Sequence, residues 1–265
     1  MMRIRGKVWL VGMAGVVLLA GCALSPAPKA AGEKAAVETV APYLCRYASP
    51  APRLTGKMDD PAWSKATTVT LDYTWRPPDE KIRRSDPESR TECKLLYDDK
   101  YLYVAFKAYD LDIWSTYRER DEATCREDVL EIFFKPDPDR DPYYNFEVNV
   151  LGATLDACNM KRWAAGNYKR WMDWNCEGLK TAITVQGTNN NWRDKDEYWI
   201  LEAAIPFAEL PTLPRSPKKG DTWLFNLARY DYSVYLRQGR EMDSFAPLGR
   251  FDFHWYEDYV KLIFE

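Results

Sequence analysis

The chain has 265 residues, of which 29% are charged and 46% are hydrophobic, and its formal net charge is −3. With 37 Lys and Arg against 40 Asp and Glu, no uniformly basic surface is available for a phosphate backbone, which excludes nucleic-acid binding as a general function. A mean hydropathy of −0.51 excludes a multi-pass membrane protein. The single histidine, His254, disfavours a catalytic triad or a metal centre that needs several imidazoles.

The N-terminal segment resembles an export signal. Three basic residues precede an apolar run from Val8 to Ala20, which is short for a membrane span and typical of a signal peptide. The run ends in Leu-Ala-Gly-Cys22, which resembles the lipobox of bacterial lipoproteins, where the cysteine is acylated. The alternative is a plain signal peptide followed by a chance cysteine.

This resemblance predicts three parts: a signal peptide over residues 1–21, a lipidated Cys22 with a flexible tether over 22–40, and a folded domain over 41–265. Ala23 follows the cysteine where an Asp would direct retention, which favours the outer membrane. We expect an exported protein that is lipid-anchored at the outer membrane, the cell surface or the periplasmic side.

Export would place the other five cysteines in an oxidising compartment, where disulfides persist. They are Cys45, Cys93, Cys125, Cys158 and Cys176, and none forms a C-x-x-C pair, which disfavours a zinc ribbon. We expect a bridge between Cys158 and Cys176, which flank a Trp-rich insertion. Other pairings stay open, and five is odd, so at least one thiol stays unpaired.

Beyond Thr91 the apolar residues alternate with period two, as in strands with one buried face. Helical periodicity is almost absent, apart from short turns at Asp60-Pro61 and at Phe207. The sequence predicts an all-β antiparallel sandwich with short helical turns. Strands are expected in a hairpin over 92–109 and at 129–134, 143–150, 154–158, 179–185, 198–205, 222–230 and 260–264.

The strand phases also predict a polar sheet face. Each strand carries polar residues opposite its apolar set, and if the strands are neighbours these residues converge on one surface: Glu131, Glu147, Asn149, Glu202 and Asn226. The alternative is that this is the solvated face of a half-buried sheet.

Six segments occur in the order found in family 9 carbohydrate-binding modules, and the resemblance runs from about Tyr43 to Glu265. They are Leu-Thr-Gly-Lys-Met-Asp-Asp-Pro-Ala-Trp63, Leu-Tyr-Asp-Asp-Lys-Tyr-Leu-Tyr-Val104, Asp-Val-Leu-Glu-Ile-Phe133, Phe-Glu-Val-Asn149, Trp-Ile-Leu-Glu-Ala-Ala-Ile-Pro206 and Gly-Asp-Thr-Trp-Leu-Phe-Asn226. The chain therefore resembles this family. The resemblance implies a DOMON-type β-sandwich that binds sugars between aromatic plates and is often attached to xylanases and related glycoside hydrolases.

The resemblance also implies site residues. Glu131 matches the family's sugar-contacting Glu, and Phe253 or Trp255 matches its second aromatic plate. Three positions depart from the family's pattern: Cys125 replaces the first aromatic plate, Glu147 an Arg, and Ala228 a Gln. These departures imply a sugar subsite that has been rebuilt or lost.

Aromatic residues elsewhere are candidates for a rebuilt site, because the apolar face of a pyranose suits a flat ring with polar groups beside it. Trp171 and Trp174 lie in a segment that also carries Trp163, Tyr168 and several basic residues, which would favour an acidic glycan. Trp114 is a further candidate plate. The alternative is that the tryptophans close one end of the sandwich.

The predicted function is non-catalytic carbohydrate binding by an exported lipoprotein in polysaccharide catabolism, with a glycan, the membrane and a glycoside hydrolase as partners. A structural or protein-interaction lipoprotein without a sugar site is the main alternative. Hydrolysis would need two carboxylates across a substrate, and a haem carrier would need axial ligands such as His254. No cofactor is required, and a Ca²⁺ site at Asp137, Asp139 and Asp141 stays open.

Overall fold

The computed structural model describes residues 39–75, 83–84, 87–162 and 174–265. These residues contain fourteen strands and several one-turn 3₁₀ helices, at Pro61–Lys65, Thr124–Arg126, Phe207–Glu209 and Tyr256–Asp258. The strands are β1 (Tyr43–Tyr47), β2 (Val69–Thr70), β3 (Tyr73–Trp75), β4 (Arg83–Arg84), β5 (Thr91–Tyr97), β6 (Tyr101–Tyr109), β7 (Val129–Lys135), β8 (Tyr143–Asn149), β9 (Thr154–Asn159), β10 (Lys180–Gln186), β11 (Tyr198–Pro206), β12 (Thr222–Tyr232), β13 (Arg240–Ser244) and β14 (Val260–Phe264).

The strands form a two-layered β-sandwich, which confirms the predicted fold class. One sheet has the order β10-β11-β6-β5, with β2 also paired to β5. The other has the order β9-β8-β7-β12-β13-β3-β4, and β14 pairs with the first half of β12. β1 joins the two sheets, because it pairs with β14 and then with β5. Both of these pairings are parallel, which differs from the purely antiparallel arrangement that the sequence predicts.

The main core lies between the sheets and follows from the alternation in each strand. In β12, Trp223, Phe225 and Leu227 point into this core, and Phe134 of β7 stacks on Trp223 with ring centroids 5.2 Å apart. Burying an aromatic or aliphatic side chain of this size stabilises the fold by about 1.5–3 kcal/mol.

The second sheet is buried on both faces. A segment from Phe251 to Tyr259 covers the face that points away from the main core. His254 packs edge-on against Phe133, with centroids 5.2 Å apart, and its Nδ1 lies 2.9 Å from the Tyr143 hydroxyl. The polar residues of this face are therefore enclosed, and they are not the solvated surface of a half-buried sheet.

Glu202 does not join the other predicted polar residues, because β11 belongs to the first sheet. Its carboxylate accepts hydrogen bonds from Trp63 Nε1 at 2.6 Å and from the backbone N–H of Thr55 at 2.7 Å. This side chain therefore holds the N-terminal turn against β11. The prediction that it shares the Glu131 surface is wrong.

The cysteines described by the structure are free thiols, so the bridge expected between Cys158 and Cys176 is not formed. Cys158 lies on β9 beside Tyr144, and Cys176 is fixed separately by a hydrogen bond from its backbone N–H to Asp156. Among the described residues, no helix has both the length and the apolar character needed to span a membrane.

Candidate functional site

Strand pairing places the two glutamates of the predicted site next to each other. Glu131 of β7 lies directly opposite Glu147 of β8 on one side and opposite Ala228 of β12 on the other. The same face carries Asn145, Asn149 and Asn226. The structure thus brings together Glu131, Glu147, Asn149 and Asn226, as the strand phases predict, although burial was not foreseen.

The two glutamates are almost fully enclosed. Glu131 is 2% exposed and Glu147 is 3% exposed. Burial raises the pKa of Glu147 to about 7, even though its carboxylate accepts a hydrogen bond from the Thr124 hydroxyl. Burial and the charge of Glu147 raise the pKa of Glu131 as well. Two neighbouring buried carboxylates cannot both ionise readily, so the pair keeps a proton near neutral pH.

Asn149 and Asn226 have their side-chain carbonyl oxygens committed to the fold, although Asn226 Nδ2 has no hydrogen-bond partner among the described residues. Asn149 Oδ1 accepts from the backbone N–H of Leu151 and of Ala153, each at 3.0 Å, which closes the turn between β8 and β9. Asn226 Oδ1 accepts from Ser244 Oγ at 3.0 Å and from the backbone N–H of Ala246 at 2.8 Å. These carbonyl oxygens therefore position backbone.

Asn145 and Glu131 differ from these amides. Neither side-chain atom of Asn145 has a hydrogen-bond partner among the described residues, although the side chain is fully buried. No hydrogen bond joins Glu131 to another residue in the described part of the chain, and only burial and the charge of Glu147 act on its pKa. Buried polar groups are normally paired, so Asn145 and Glu131 have hydrogen-bonding groups that the fold does not use. The alternation in β8 places Asn145 on the same face as Glu147, although the predicted site does not include Asn145.

We call the face formed by Glu131, Glu147 and Asn145 the Glu131 patch. Partly exposed side chains border this patch on the side towards the end of β12. Cys125 and Tyr230 are both half-buried. Burial, together with the charges of Glu147 and Glu131, raises the pKa of the Cys125 thiol to about 12, so this thiol is close to both glutamates and stays protonated. The patch therefore has an accessible margin formed by a thiol and a phenol ring.

The two candidates for the second aromatic plate, Phe253 and Trp255, have different environments. Phe253 is buried and packs edge-on against Tyr230, with centroids 5.2 Å apart, so it belongs to the cover of the sheet. Trp255 is half-buried, and the guanidinium groups of Arg250 and Arg162 lie 3.7 and 4.2 Å from its ring centroid. Of these two candidates, Trp255 is therefore the one whose ring keeps exposed surface.

Of the tryptophans in the insertion, the structure describes Trp174. Trp174 packs edge-on against Tyr144, with centroids 5.5 Å apart, and also contacts Phe146, so it extends the main core. Trp171, Trp163 and Tyr168 lie outside the described residues. Trp114 is far along the sheet from Glu131, in a loop groove with Trp192, a residue that the sequence analysis did not single out.

The predicted Ca²⁺ loop at Asp137, Asp139 and Asp141 contains an internal cation. The ammonium group of Lys135 donates to the backbone carbonyls of Asp137 at 2.8 Å and Pro138 at 2.9 Å, and also to that of Arg140. The Lys135 ammonium therefore takes up these three carbonyl oxygens, while a Ca²⁺ ion bound by the carboxylates of Asp137, Asp139 and Asp141 stays a prediction.

A second acidic cluster lies at the end of β12, where the carboxylate oxygens of Asp110, Asp128 and Asp231 come within 4.8 Å of one another. The buried guanidinium of Arg229 lies 2.7 Å from Asp110 and 2.9 Å from Asp231. Asp128 uses both oxygens to accept backbone N–H groups, from Trp114 at 2.6 Å and from Tyr232 at 2.7 Å. The cluster thus already holds its cation, and its residues fit an arginine and not a metal ion.

The fold is a β-sandwich that encloses a polar patch on one face of its second sheet. A family model described as "Carbohydrate family 9 binding domain-like" matches residues 54–251. The chain belongs to this family.

Three known proteins are similar to the chain. It is 25% identical over 162 residues to exoglucanase XynX of Acetivibrio thermocellus, which corresponds to 61% of this chain and only 12% of that enzyme's length. A family 9 carbohydrate-binding module of Caldicellulosiruptor kristjanssonii in complex with glucose has a TM-score of 0.56 and 17% identity, covering 84% of this chain and 94% of that one. The crystal structure of a protein from Bacteroides uniformis has a TM-score of 0.61 and 17% identity to this chain, and the match covers 84% of this chain and 97% of that one. The two structures support the sandwich fold.

Proposed function

We propose that this protein is a non-catalytic carbohydrate-binding protein, and that a sugar binds at the Glu131 patch. The observation that carries the proposal is the unused polar capacity of this patch: Glu131 and Asn145 are buried without hydrogen-bond partners among the described residues. Sugar hydroxyls both donate and accept, so they can pair with a carboxyl group and with an amide. Family membership supports the ligand class, and relatives bind glucose and cellotriose.

Hydrolysis is disfavoured by the same geometry. A glycosidase places two carboxyl groups on either side of the scissile bond, about 5–9.5 Å apart. Glu131 and Glu147 are direct neighbours across one strand pair and lie on the same sheet face. They can approach a sugar only from one side. The activity of exoglucanase XynX also does not transfer, because the match covers only 12% of that enzyme.

The cellular role is part of the proposal. The lipobox-like Leu-Ala-Gly-Cys22 supports an exported protein with a lipid anchor at residue 22, which would hold the sandwich at the outer membrane or cell surface. There it would serve polysaccharide catabolism and present a glycan to a separate glycoside hydrolase. The similarity to part of an exoglucanase supports this setting.

A glycan array probed with the purified full-length protein tests the proposal, followed by calorimetric titration with glucose and cellotriose. We expect saturable binding to at least one oligosaccharide class and no release of reducing ends on prolonged incubation. An absence of binding across the array would instead support a structural or protein-interaction lipoprotein.

A further inference from the structure

Three loops at one end of the sandwich enclose a groove of about 310 Å³. Trp114 comes from the loop after β6, Trp192 from the loop between β10 and β11, and Val234 from the loop between β12 and β13. Tyr232, Asp112 and Asn190 complete much of the lining. Tyr232 lies four residues along β12 from Ala228, the neighbour of Glu131, so the Cα atoms of Ala228 and Tyr232 are about 14 Å apart.

Large apolar side chains in this groove face solvent. Trp192 is 55% exposed and Trp114 is 37% exposed, and Val234 beside them is also exposed. Burying such side chains in the core would stabilise the fold by about 1.5–3 kcal/mol each. Several of them clustered in one concave surface are typical of a binding site, whereas a single exposed apolar residue is not informative.

The groove loops are held in place by buried side-chain hydrogen bonds. Asp128 accepts from the backbone N–H of Trp114 and of Tyr232, at 2.6 and 2.7 Å. Asp112 Oδ2 accepts from the backbone N–H of Val234 at 2.9 Å.

The Trp192 loop is fixed in the same way. The Tyr235 hydroxyl donates to the carbonyl of Trp192 at 3.0 Å, and Asn190 Nδ2 donates to the carbonyl of Ser115 at 2.8 Å. A rigid, preformed groove avoids the entropic cost of ordering loops when a ligand binds.

We propose that this groove is a second carbohydrate-contacting site, which receives the apolar face of a pyranose ring on its tryptophans. Flat indole rings match the C–H-rich face of a sugar, and Asp112 and Ser233 line the same groove. The Arg193 guanidinium lies over the Trp192 ring, 4.5 Å from its centroid, and adds hydrogen-bond donors beside the groove. The inference rests on the proposed function, which supplies the ligand class. It extends the sugar-contacting surface well beyond the Glu131 patch.

Indole N–H resonances of the full-length protein, followed by NMR during titration with cellotriose, test this proposal. We expect the resonances of Trp114 and Trp192 to shift in the wild type and to keep shifting in Glu131→Leu, because the groove is a separate site. Trp192→Ala should abolish the shift of Trp114 and lower cellotriose affinity about threefold or more. Trp192→Tyr, which keeps a flat ring, should retain the Trp114 shift, whereas Trp192→Leu should not.

Tyr47→Ala is the matched control, because Tyr47 is 42% exposed and lies on β1, outside the groove. This variant should bind like the wild type. If the wild type binds cellotriose while both indole resonances stay still, the groove is not a sugar site. A Trp114 resonance that still shifts in Trp192→Leu would indicate a general apolar groove, for example for a peptide, and would overturn the proposal. If the wild type binds no sugar by calorimetry, the proposed function itself fails.

Discussion

At the scale of single residues, the buried polar side chains on the sheet face that carries Glu131 are of two kinds: some are hydrogen-bonded to the backbone and others have no hydrogen-bond partner in the described part of the chain. Asn226 and Asn149 hold backbone groups, whereas Asn145 has no partner among the described residues and Glu131 carries only an unfavourable charge interaction with Glu147. A buried hydrogen-bonded amide stabilises a fold, and a buried unpaired one costs about 1–3 kcal/mol. Unpaired groups of this kind persist most readily where a ligand uses them.

Asn226→Leu and Asn145→Leu should therefore change stability in opposite directions. The two positions share a sheet face and are equally buried, and the substitution is nearly isosteric. We expect Asn226→Leu to lower the free energy of unfolding by about 1–3 kcal/mol, because the N–H of Ala246 loses its acceptor, and Asn145→Leu to leave it unchanged or raise it. Urea unfolding measures both. Equal destabilisation of the two variants would show that Asn145 is also a structural residue.

The identity of the residues on this face could be predicted from the sequence, but their burial could not. Alternation in β7 and β8 places Glu131 and Glu147 opposite the apolar set. It gives no information on what covers them, because the cover comes from Phe251–Tyr259, more than a hundred residues later. The same limit applies to Glu202, whose strand has the expected phase and lies in the other sheet.

At the scale of secondary-structure elements, the end of β12 carries a buried cluster of one arginine and several aspartates. Arg229 is fully buried and interacts with Asp110, Asp128, Asp231 and Asp243. Four carboxylates surround one guanidinium, so not all of them can be ionised at once. The cluster joins β12 to the loops after β6 and before β7, and it thereby supports the Trp114 groove.

Arg229→Met should destabilise the protein by about 3–5 kcal/mol, because removing the cation leaves buried carboxylates uncompensated. The control is Arg215→Met, which removes a largely exposed ion pair with Asp221 and should leave the free energy of unfolding almost unchanged. Chemical unfolding of both variants gives the comparison. A similar small loss for the two would show that the cluster is neutral and that Arg229 contributes little.

Thermal stability should decrease as the pH rises from about 5 to about 8. Burial raises the pKa of Asp110 and of Glu147 to about 7, while both groups ionise near pH 4 in the unfolded chain. Between these values the folded state binds more protons than the unfolded state, so the free energy of unfolding falls with increasing pH. We expect a melting temperature at least about 3 °C higher at pH 5.5 than at pH 8. A melting temperature that is constant or rises over this range would contradict the assigned pKa directions.

The sequence predicts only some of the strand pairings in the sandwich. The hairpin of β5 and β6 follows from local alternation and the Asp98-Asp99-Lys100 turn, and the structure confirms it. The two parallel pairings of β1 join residues about 50 and 220 positions apart, as in Arg46 with Leu96 and Tyr43 with Leu262, and no local pattern encodes them.

At the scale of the whole molecule, a membrane anchor and a rigid binding domain would act together. A lipid at residue 22 would confine the sandwich to a surface, and a tether over residues 23–40 would leave its binding faces free to meet a polysaccharide. Confinement raises the local concentration of binding sites, so modest affinity at each sugar contact is sufficient.

Metabolic labelling with a palmitate analogue should mark the wild-type protein and not Cys22→Ala. A processed lipobox cysteine carries the acyl chains that hold the protein at the membrane, so the variant should also move to the soluble fraction after cell lysis. Cys125→Ala, which changes a thiol inside the sandwich, is the control and should be labelled like the wild type. Labelling of Cys22→Ala would contradict the lipoprotein assignment.

The central claim is that Glu131 is kept for a sugar and not for the fold. The most direct test measures, on Glu131→Leu, both the calorimetric affinity for the oligosaccharide that binds best on the array and the free energy of unfolding. We predict an affinity at least about tenfold lower, corresponding to about 1.4 kcal/mol, with a stability equal to or above that of the wild type, because an unpaired buried carboxyl group is removed. Unchanged affinity, or a stability loss of several kcal/mol, would contradict the claim.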